Sequence, residues 1–331
     1  MTFSSIIKNE LSRTETTNIC CVKAEVAALI RTTGYITLKG LNKTEIELST
    51  ENAAVTRRIF KLLKILYNIS TEVSVKKSNR LKKRNNYTIK IEDDIVKKIL
   101  RDIMLNNSEE INPFNFDFGV PQELVKKDCC KRAYIKGSFM GCGSISDPEK
   151  SYHAEFVNNK EEHCQGLCEL INCYNLNAKM IYRKSYYISY IKEAEQISDL
   201  MALIGAHNSL LEFENVRVVK ETRNRINRVI NCETANLDKI VDTSMRQIKQ
   251  IKVLKKYKAI DKLPDNLREL AYLRLKHSNA SLKELGEMLN PPLGKSGVNH
   301  RLRKIEDIAD ELLEQEKRGK KDEIAKSNIK K

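Results

Sequence analysis

The chain has 331 residues, of which 41% are apolar and 31% charged, so it is long enough for two or three folded domains. No apolar run approaches the roughly 20 residues that span a bilayer. The first residues lack the basic and apolar regions of a signal peptide, so we expect a soluble, cytoplasmic protein with no membrane partner. Lysine and arginine outnumber aspartate and glutamate by 59 to 44, a net charge of +15. Such a surplus favours a polyanionic partner.

The first elements form a duplicated pattern. Phe3, Ile6, Ile7 and Leu11 predict a short amphipathic helix within residues 1–19. Residues 20–37 are then repeated at 129–146, where the Cys-Cys pair and the later Gly recur in the same register. After each copy, alternating segments and segments with apolar spacings of three and four predict the order α-β-β-α-β-β-α. The halves are residues 20–104 and 129–205, joined by a polar connector at 105–128.

The helix that opens each half carries small residues at every fourth position. These residues are Ala24, Ala28 and Thr32 in the first half, and Ala133, Gly137 and Gly141 in the second. Small residues at this spacing let two helix backbones approach closely. We therefore predict that the two helices pack about a pseudo-twofold axis and that their sheets form one saddle. The alternative is two independent α+β domains with unrelated helices.

Two segments are strongly basic. Between the third and fourth predicted strands, a hairpin tip concentrates possible phosphate contacts, namely Lys76, Lys77, Arg80, Lys82, Lys83 and Arg84. Residues 206–258 form a linker, with a short extended stretch at 216–219, followed by a basic helical connector. The connector offers three further candidate phosphate contacts, Arg223, Arg225 and Arg228. A solvated loop and a helical spacer are the alternatives for these two segments.

Residues 259–316 show the pattern of a helix-turn-helix domain. Leucines from 263 to 273 form the inner face of a first helix, and Ser281 with Glu284 can form a capping box on a second. Asn290-Pro291-Pro292 ends the second helix, and a third begins at Lys295. A short helix, a break and another helix are typical of this DNA-binding unit.

The third helix separates apolar from polar side chains. At about 100° per residue, Val298, Leu302 and Ile305 face one side and should be buried. The opposite side is expected to enter a major groove, because Asn pairs with adenine and Arg with guanine. The candidate DNA-binding residues of the helix-turn-helix, about 280–313, are Lys295, Ser296, Asn299, His300, Arg301, Arg303 and Lys304. The alternative is a polar face that only meets solvent.

The sequence predicts no cofactor and no metal. The nine cysteines are an odd number in a chain without an export signal, so reduced thiols are expected. His163-Cys164, Cys168 and Cys173 fit no common zinc spacing and are interpreted as a group with buried thiols. The pairs Cys20-Cys21 and Cys129-Cys130 lie at matching helix starts, where packing explains them.

A duplicated helix that ends in Gly and leads into α-β-β-α-β-β-α resembles the LAGLIDADG homing endonucleases. The resemblance implies that the paired helices form the interface, that the sheets lie over DNA, and that an acidic residue before each terminal Gly holds a catalytic metal. Thr33 and Cys142 occupy those two positions here. Neither a hydroxyl nor a thiol suits Mg²⁺, so we expect no catalytic residues and no enzyme.

Six segments together are similar to the WhiA family of bacterial regulators, over about residues 1–315. They read CCVKAEVAALIRTTG, CCKRAYIKGSFMGCGSISDP, NRINRVINCETANLDKIV, LPDNLRELAYLRL, SLKELGEML and KSGVNHRLRKI. The resemblance implies a degenerate LAGLIDADG domain joined to a helix-turn-helix like region 4 of sigma factors. It also implies roles in cell division, chromosome segregation and sporulation.

The predicted fold class is therefore α+β, a duplicated LAGLIDADG-like saddle at residues 20–205 followed by an all-α helix-turn-helix domain. A basic tail at 317–331 is predicted to be disordered. The leading hypothesis is a nucleoid-associated, sequence-specific transcription regulator, a monomer with an internal pseudo-dimer. Its partners would be double-stranded DNA and RNA polymerase or another regulator. The alternatives are a protein-interaction scaffold in which only the C-terminal domain binds DNA and, less favoured, an active metal-dependent endonuclease.

Overall fold

The computed structural model describes residues 2–39, 43–77, 85–92, 94–103 and 116–328. The chain divides into two compact units, Met1–Thr222 and Arg223–Lys331, which are described separately. Among the helices of the described residues, none combines the length and the apolar character that crossing a membrane requires.

The N-terminal unit begins with helix α1 (Phe3–Arg13) and then repeats one series of seven elements. The first half contains α2 (Ile19–Thr33), β1 (Gly34–Lys39), β2 (Lys43–Thr50), α3 (Ala53–Tyr67), β3 (Val73–Lys77), β4 (Asn85–Ile91) and α4 (Asp94–Asp102). The second contains α5 (Asp128–Cys142), β5 (Gly143–Ile145), β6 (Ala154–Asn158), α6 (Glu161–Asn172), β7 (Lys179–Arg183), β8 (Tyr186–Ile191) and α7 (Ala194–Ile204). The predicted duplication is confirmed.

Each half folds into a four-stranded antiparallel sheet with the same strand order, β1-β2-β4-β3 in the first and β5-β6-β8-β7 in the second. Alternate residues of a strand point to opposite faces. One face is apolar and buried against the helices, as Ile46, Ile89 and Phe156 show. The other face carries mostly polar side chains. The alternation in the sequence therefore fixes which side of each sheet meets the core.

Helices α2 and α5 pack closely, and their small residues explain why. A Cβ atom added at Gly137 would lie 2.7 Å from the carbonyl oxygen of Glu25, and one at Gly141 would lie 1.9 Å from Oγ1 of Thr32. Buried residues of both halves belong to one core. The predicted helix pair is confirmed, and the alternative of two independent domains is wrong.

Helix α1 packs on this same core. Thr2 caps its N-terminus, and Phe3, Ile7 and Leu11 are buried. Ile6, which the spacing also placed on the apolar face, remains 37% exposed. The Ser4 hydroxyl donates a hydrogen bond to the carbonyl oxygen at position 145, which fastens α1 to the start of the second sheet.

Residues 207–256 form one continuous helix, α8 (His207–Lys256), so the prediction of a linker with an extended stretch at 216–219 is wrong. The β-branched valines at 216–219 favour a strand, but the charged side chains around them can form their ion pairs only when the segment is helical. Phe213 is buried in the N-terminal core, and Arg217 contacts Glu214 at 3.1 Å and Glu221 at 3.4 Å, three and four residues away.

The C-terminal unit is all-helical. After the end of α8 come a single 3-10 turn (Ile260–Lys262), α9 (Asp265–Lys276), α10 (Leu282–Glu287) and α11 (Lys295–Asn328). Its core joins Leu254 of α8 to Leu270, Leu285 and Leu302 of the three following helices. The predicted fold class, a duplicated α+β saddle followed by a helical domain, is confirmed.

The predicted disorder of residues 317–331 is wrong as far as residue 328. Helix α11 continues to Asn328, and the last three residues lie outside the described part of the chain. The segment contains no proline, and Arg318 lies 3.6 Å from Glu314, one helical turn earlier. Its lysines and its single glutamate are good helix formers, so its charge alone does not prevent a helix.

Candidate nucleic-acid interface

A capping box fixes the start of α10, the second of the three predicted helices and the one that precedes the turn. The Glu284 amide donates to Oγ of Ser281 at 3.3 Å, and the Ser281 amide donates to a carboxylate oxygen of Glu284 at 2.6 Å. These hydrogen bonds with Ser281 hold the pKa of the Glu284 carboxyl below its ordinary value. Both groups that the sequence selected therefore satisfy backbone donors of the first turn.

The turn between α10 and α11 depends on a close contact at Gly286. A Cβ atom at this position would lie 1.9 Å from the carbonyl oxygen of Leu293, whose amide donates to the Gly286 carbonyl at 2.9 Å. Glycine therefore lets the turn lie directly on α10 and sets where α11 begins. Sequence reasoning did not select Gly286, although a glycine inside a short amphipathic helix is a signal of close packing.

The N-terminal part of α11 separates its side chains as predicted. Val298, Leu302 and Ile305 are buried, with at most 1% exposure. Five of the seven candidate residues are exposed, namely Lys295, Ser296, His300, Arg303 and Lys304. Asn299 and Arg301 are half-buried. The structure thus assembles an outward polar surface at the beginning of α11, and its contact with DNA stays a prediction.

Two arginines hold the helices of this domain in place. Arg301 reaches the carbonyl oxygen of Asn266 in α9 at 3.5 Å, so it supports the domain as well as flanking the exposed face. Arg274 is only 2% exposed and donates to the carbonyl oxygen of Ala280 at 2.6 Å. Burial lowers the pKa of the Arg274 guanidinium. Arg274 fixes the turn between α9 and α10, a role that no local pattern indicated.

The other predicted phosphate contacts are spread over the chain. Arg223, Arg225 and Arg228 are exposed on α8, where every residue from 221 to 242 is exposed. Lys76 is exposed on β3, and the backbone of Lys77 is described but its side chain is not. Arg80, Lys82, Lys83 and Arg84 lie outside the described residues. The structure therefore brings together the α11 residues and leaves the role of the others as a prediction.

The outer faces of the two sheets carry mixed charge. In the described residues this face carries four basic side chains, Lys76, Lys90, Lys179 and Arg183, and three acidic ones, Glu45, Glu47 and Glu155, of which Glu45 is buried and paired with Lys90. The second sheet adds Tyr186 and Tyr190 and the aliphatic side chains of Val157, Ile181 and Ile188 to this face. This face therefore lacks the uniform positive charge that tracks a DNA backbone.

The two positions that would carry catalytic acids hold groups unsuited to a hard metal. Thr33 is 5% exposed, and its hydroxyl donates to the Leu29 carbonyl at 2.8 Å. The Cys142 thiol lies 3.6 Å from the Asn158 amide oxygen, and burial raises the pKa of Cys142 to about 12. Cys142 therefore remains a neutral thiol, which Mg²⁺ does not prefer.

An open cleft of about 1240 Å³ lies beside Thr33 and is lined by the polar face of α1. Its described lining contains the basic side chains of Lys8, Arg13 and Arg57, and the single carboxylate of Glu51. Burial lowers the pKa of Lys8. A two-metal hydrolytic centre needs carboxylates that bridge its ions, and this lining is dominated by cations.

His163 and the cysteines near it in the sequence do not form a zinc site, because both ring nitrogens of His163 contact other side chains. Nδ1 of His163 lies 2.7 Å from the Asn158 amide oxygen, and Nε2 lies 3.0 Å from the Tyr134 hydroxyl. Burial lowers the pKa of His163 to about 3, so the ring stays neutral. Cys164 is buried, as predicted, but Cys173 is exposed because it follows the last turn of α6.

Comparisons with known proteins cover nearly the whole chain. Residues 19–106 match the model of the WhiA N-terminal LAGLIDADG-like domain, 131–223 that of the WhiA LAGLIDADG-like domain, and 226–309 that of the WhiA C-terminal HTH domain. The probable cell division protein WhiA of Alkaliphilus metalliredigens is 51% identical over 311 residues, 94% of this chain and 98% of that protein. The corresponding Clostridium novyi protein is 50% identical over 319 residues, 96% of this chain and 100% of its own length.

A solved structure shares the fold. The crystal structure of full-length DUF199/WhiA from Thermatoga maritima aligns with a TM-score of 0.55 at 26% identity, covering 94% of this chain and 99% of that one.

Proposed function

This chain belongs to the WhiA family, and from that premise we propose that it is a sequence-specific DNA-binding regulator of transcription. Its relatives are named as probable cell division proteins, which supports a role in cell division. We extend the proposal to chromosome segregation and sporulation, and to a cytoplasmic location on the nucleoid. The matched helix-turn-helix domain supports double-stranded DNA as the partner.

One observation carries this proposal, the polar surface at the start of α11. Arg303 and His300 are exposed there, while Leu302 between them is buried and holds the helix on its domain. An arginine on such a helix can donate two hydrogen bonds to guanine in the major groove, and Asn299 can pair with adenine. Base recognition by this surface would provide the specificity.

The arginines at the start of the exposed part of α8 would add affinity rather than specificity. A contact between Arg225 and a phosphate would not depend on the base sequence, because the phosphate backbone is the same along any duplex. Because each half of the N-terminal unit mimics one subunit of a dimer, a monomer could bind an asymmetric site.

The test compares two arginines of the same helix. Arg303→Ala should reduce discrimination between a selected site and random duplex by about 5- to 150-fold, equivalent to 1–3 kcal/mol. Arg318→Ala is the matched control, because Arg318 is equally basic and exposed but lies four turns further along α11. Fluorescence anisotropy on both duplexes gives the ratio. Equal losses on both sequences for Arg303→Ala would contradict the proposal.

Arg225→Ala separates phosphate contact from base recognition. We expect weaker binding to every duplex and a salt dependence whose slope falls by about one unit. The measurement is the affinity of the full chain between low and moderate salt. A change confined to the selected site would contradict the assignment of Arg225 to the backbone.

A second function is supported by the outer faces of the sheets. Glu47 and Glu155 repel phosphates there, and Ile181 with Ile188 offers apolar area, which suits RNA polymerase or another regulator better than DNA. Hydrogen exchange of the DNA-bound full chain distinguishes a sheet surface that binds a protein from one that binds DNA. Protection restricted to α11 favours the protein-interaction scaffold, and protection that includes β2 and β6 favours a DNA-binding saddle.

We also propose that the chain does not cleave DNA. The support is the cationic lining beside Thr33, together with the neutral Cys142 thiol. Supercoiled plasmid incubated with the purified protein and Mg²⁺ should remain supercoiled. Metal-dependent nicking that disappears on addition of a chelator would contradict this.

A further inference from the structure

Four thiols meet where helices α2 and α5 begin. Cys20 and Cys21 are the second and third residues of α2, and Cys129 and Cys130 are the second and third of α5. Their four sulfur atoms all lie within 4.8 Å of one another. Among the described residues this is the one group of three or more His, Cys, Asp or Glu side chains assembled so closely. The duplication and the helix pairing together place them there.

Packing alone does not explain all four residues. Cys21 and Cys130 are buried, with 6% and 3% exposure, as the sequence interpretation requires. Cys20 is half-buried and Cys129 is exposed, so half of the cluster reaches the surface. A purely structural cysteine has no reason to lie beside three others at the edge of a core. The cluster also has a route by which a small ion can enter.

We propose that these four cysteines bind one Zn²⁺ ion as a tetrahedral thiolate site that joins the two halves of the N-terminal unit. Zinc–sulfur bonds of about 2.3 Å require sulfur–sulfur separations of about 3.8 Å. The Cys129 and Cys130 sulfur atoms are already 3.9 Å apart. The longest separation in the cluster must shorten by no more than about 1 Å, which side-chain rotation provides.

The ligand chemistry and the close spacing of the sulfur atoms together favour zinc. Four soft sulfur ligands in a tetrahedron suit Zn²⁺ or an iron–sulfur cluster and exclude Mg²⁺ and Ca²⁺. A four-iron cluster fills the space between its cysteines, so it needs them farther apart than one ion does. The close spacing here therefore favours a single ion.

The surroundings favour thiolate over thiol at the surface of the cluster. Two helix N-termini meet at the cluster, and their partial positive charge stabilises anions. Neither N-cap residue, Asn18 or Lys127, forms a side-chain cap, which leaves first-turn amide groups available to donate to sulfur.

The ligand chemistry makes binding depend on pH, because a cysteine binds Zn²⁺ as a thiolate. Binding therefore releases protons, and the apparent affinity should increase with pH.

The experiment measures metal on the full-length, reduced protein. Purified protein should carry about one equivalent of zinc by mass spectrometry of the metal. Replacement with Co²⁺ should give the intense visible bands of a tetrahedral site and a sulfur-to-cobalt charge-transfer band whose strength corresponds to four thiolates. Cys20→Ser with Cys129→Ser should abolish both signals. The matched control, Cys173→Ser with Cys232→Ser, removes two exposed thiols outside the cluster and should keep them.

The cobalt spectrum of the wild-type chain decides the question even where the double variant does not fold. Absence of zinc and of the charge-transfer band in reduced, folded protein would overturn the proposal. So would an iron–sulfur chromophore, or a disulfide between these cysteines that persists under reducing conditions. In the zinc-bound chain, Cys20 and Cys129, which reach the surface, should resist a thiol reagent and should react once a chelator is added.

Discussion

The buried carboxylate of Glu25 connects three helices of the N-terminal unit, and its removal is the sharpest test of how the two halves are held together. Glu25 on α2 contacts Arg58 of α3 at 2.7 Å and Lys136 of α5 at 2.9 Å. Thr16 adds a hydroxyl hydrogen bond to the carboxylate at 3.3 Å. Glu25 is 0% exposed, Arg58 3% and Lys136 9%. One buried anion therefore neutralises part of the charge of two buried cations.

Glu25→Gln keeps the volume and removes the negative charge. Both cations then remain buried without a counter-ion, and breaking a buried pair in this way typically costs about 3–5 kcal/mol. The amide can still accept one hydrogen bond from Arg58, so we expect about 3 kcal/mol. Adding Lys136→Met removes one of the stranded cations and should recover part of that loss, because the two sites interact directly.

Hydrogen exchange measures this loss where it occurs. In the full chain, a destabilisation of about 3 kcal/mol should speed amide exchange in α2 and α5 by about a hundredfold. Glu123→Gln is the control, because it breaks the exposed pair with Lys126, whose side chains are 59% and 66% exposed. An exposed pair is worth at most about 1 kcal/mol, so exchange should change less than about fivefold.

Amide exchange in the Glu25→Gln protein that matches the Glu123→Gln control would contradict the role of Glu25 in holding the two halves together. A further loss of stability on adding Lys136→Met would also contradict it, because the unpaired Lys136 cation would then not be the source of the loss.

Three further substitutions test separate parts of the structure. Gly141→Ala places a Cβ atom 1.9 Å from Oγ1 of Thr32 and should cost about 1–3 kcal/mol in urea unfolding, whereas Gly294→Ala meets nothing within 4 Å and should be neutral. Ser281→Ala removes the α10 cap and should cost about 1 kcal/mol, and an unchanged unfolding midpoint would contradict the capping role. Burial lowers the pKa of His163 from 6.5 to about 3, so the unfolded chain takes up a proton first as the pH falls below 6.5. The free energy of unfolding should therefore decrease by up to about 1.4 kcal/mol per pH unit as the pH falls from 6.5 towards 3. His163→Gln should make the free energy of unfolding depend less on pH in this range.

The features that the sequence predicted well are those with a short period. The repeat at 20–37 and 129–146 and the alternation of the strands need only near neighbours to be recognised. Val298, Leu302 and Ile305 are buried because residues three and four apart share one face of a helix wherever that helix is. For the same reason the sequence alone predicts which residues at the start of α11 are exposed.

Predictions failed where the choice depends on tertiary contacts. Val216 and its neighbours have strand propensity, but Phe213 anchors α8 by packing against the rings of Phe3 and Tyr152, which lie far earlier in the chain. Glu25 looks like a surface charge in the sequence. Its burial depends on Arg58 and Lys136, which are 33 and 111 residues away and belong to no local pattern. The two Cys-Cys pairs are likewise far apart, at 20–21 and 129–130, so in the sequence they look like independent packing residues.

The two halves share a backbone plan but have different chemistry at equivalent places. In the first half, the helix pair α2 and α3 is joined by the charged contact of Glu25 with Arg58. In the second, α5 and α6 are joined by a neutral hydrogen bond of 3.0 Å between Tyr134, which aligns with Glu25 in the repeat, and His163. Exchanging one half for a copy of the other would bury an unpaired charge or leave a polar group without its partner. The outer faces have diverged as well, since the second sheet carries Ile181 and Ile188 where a charged face would be needed to follow phosphates. Because the two halves carry different side chains, they do not require a palindromic DNA site. This supports the proposal that a single chain is the unit that acts on DNA.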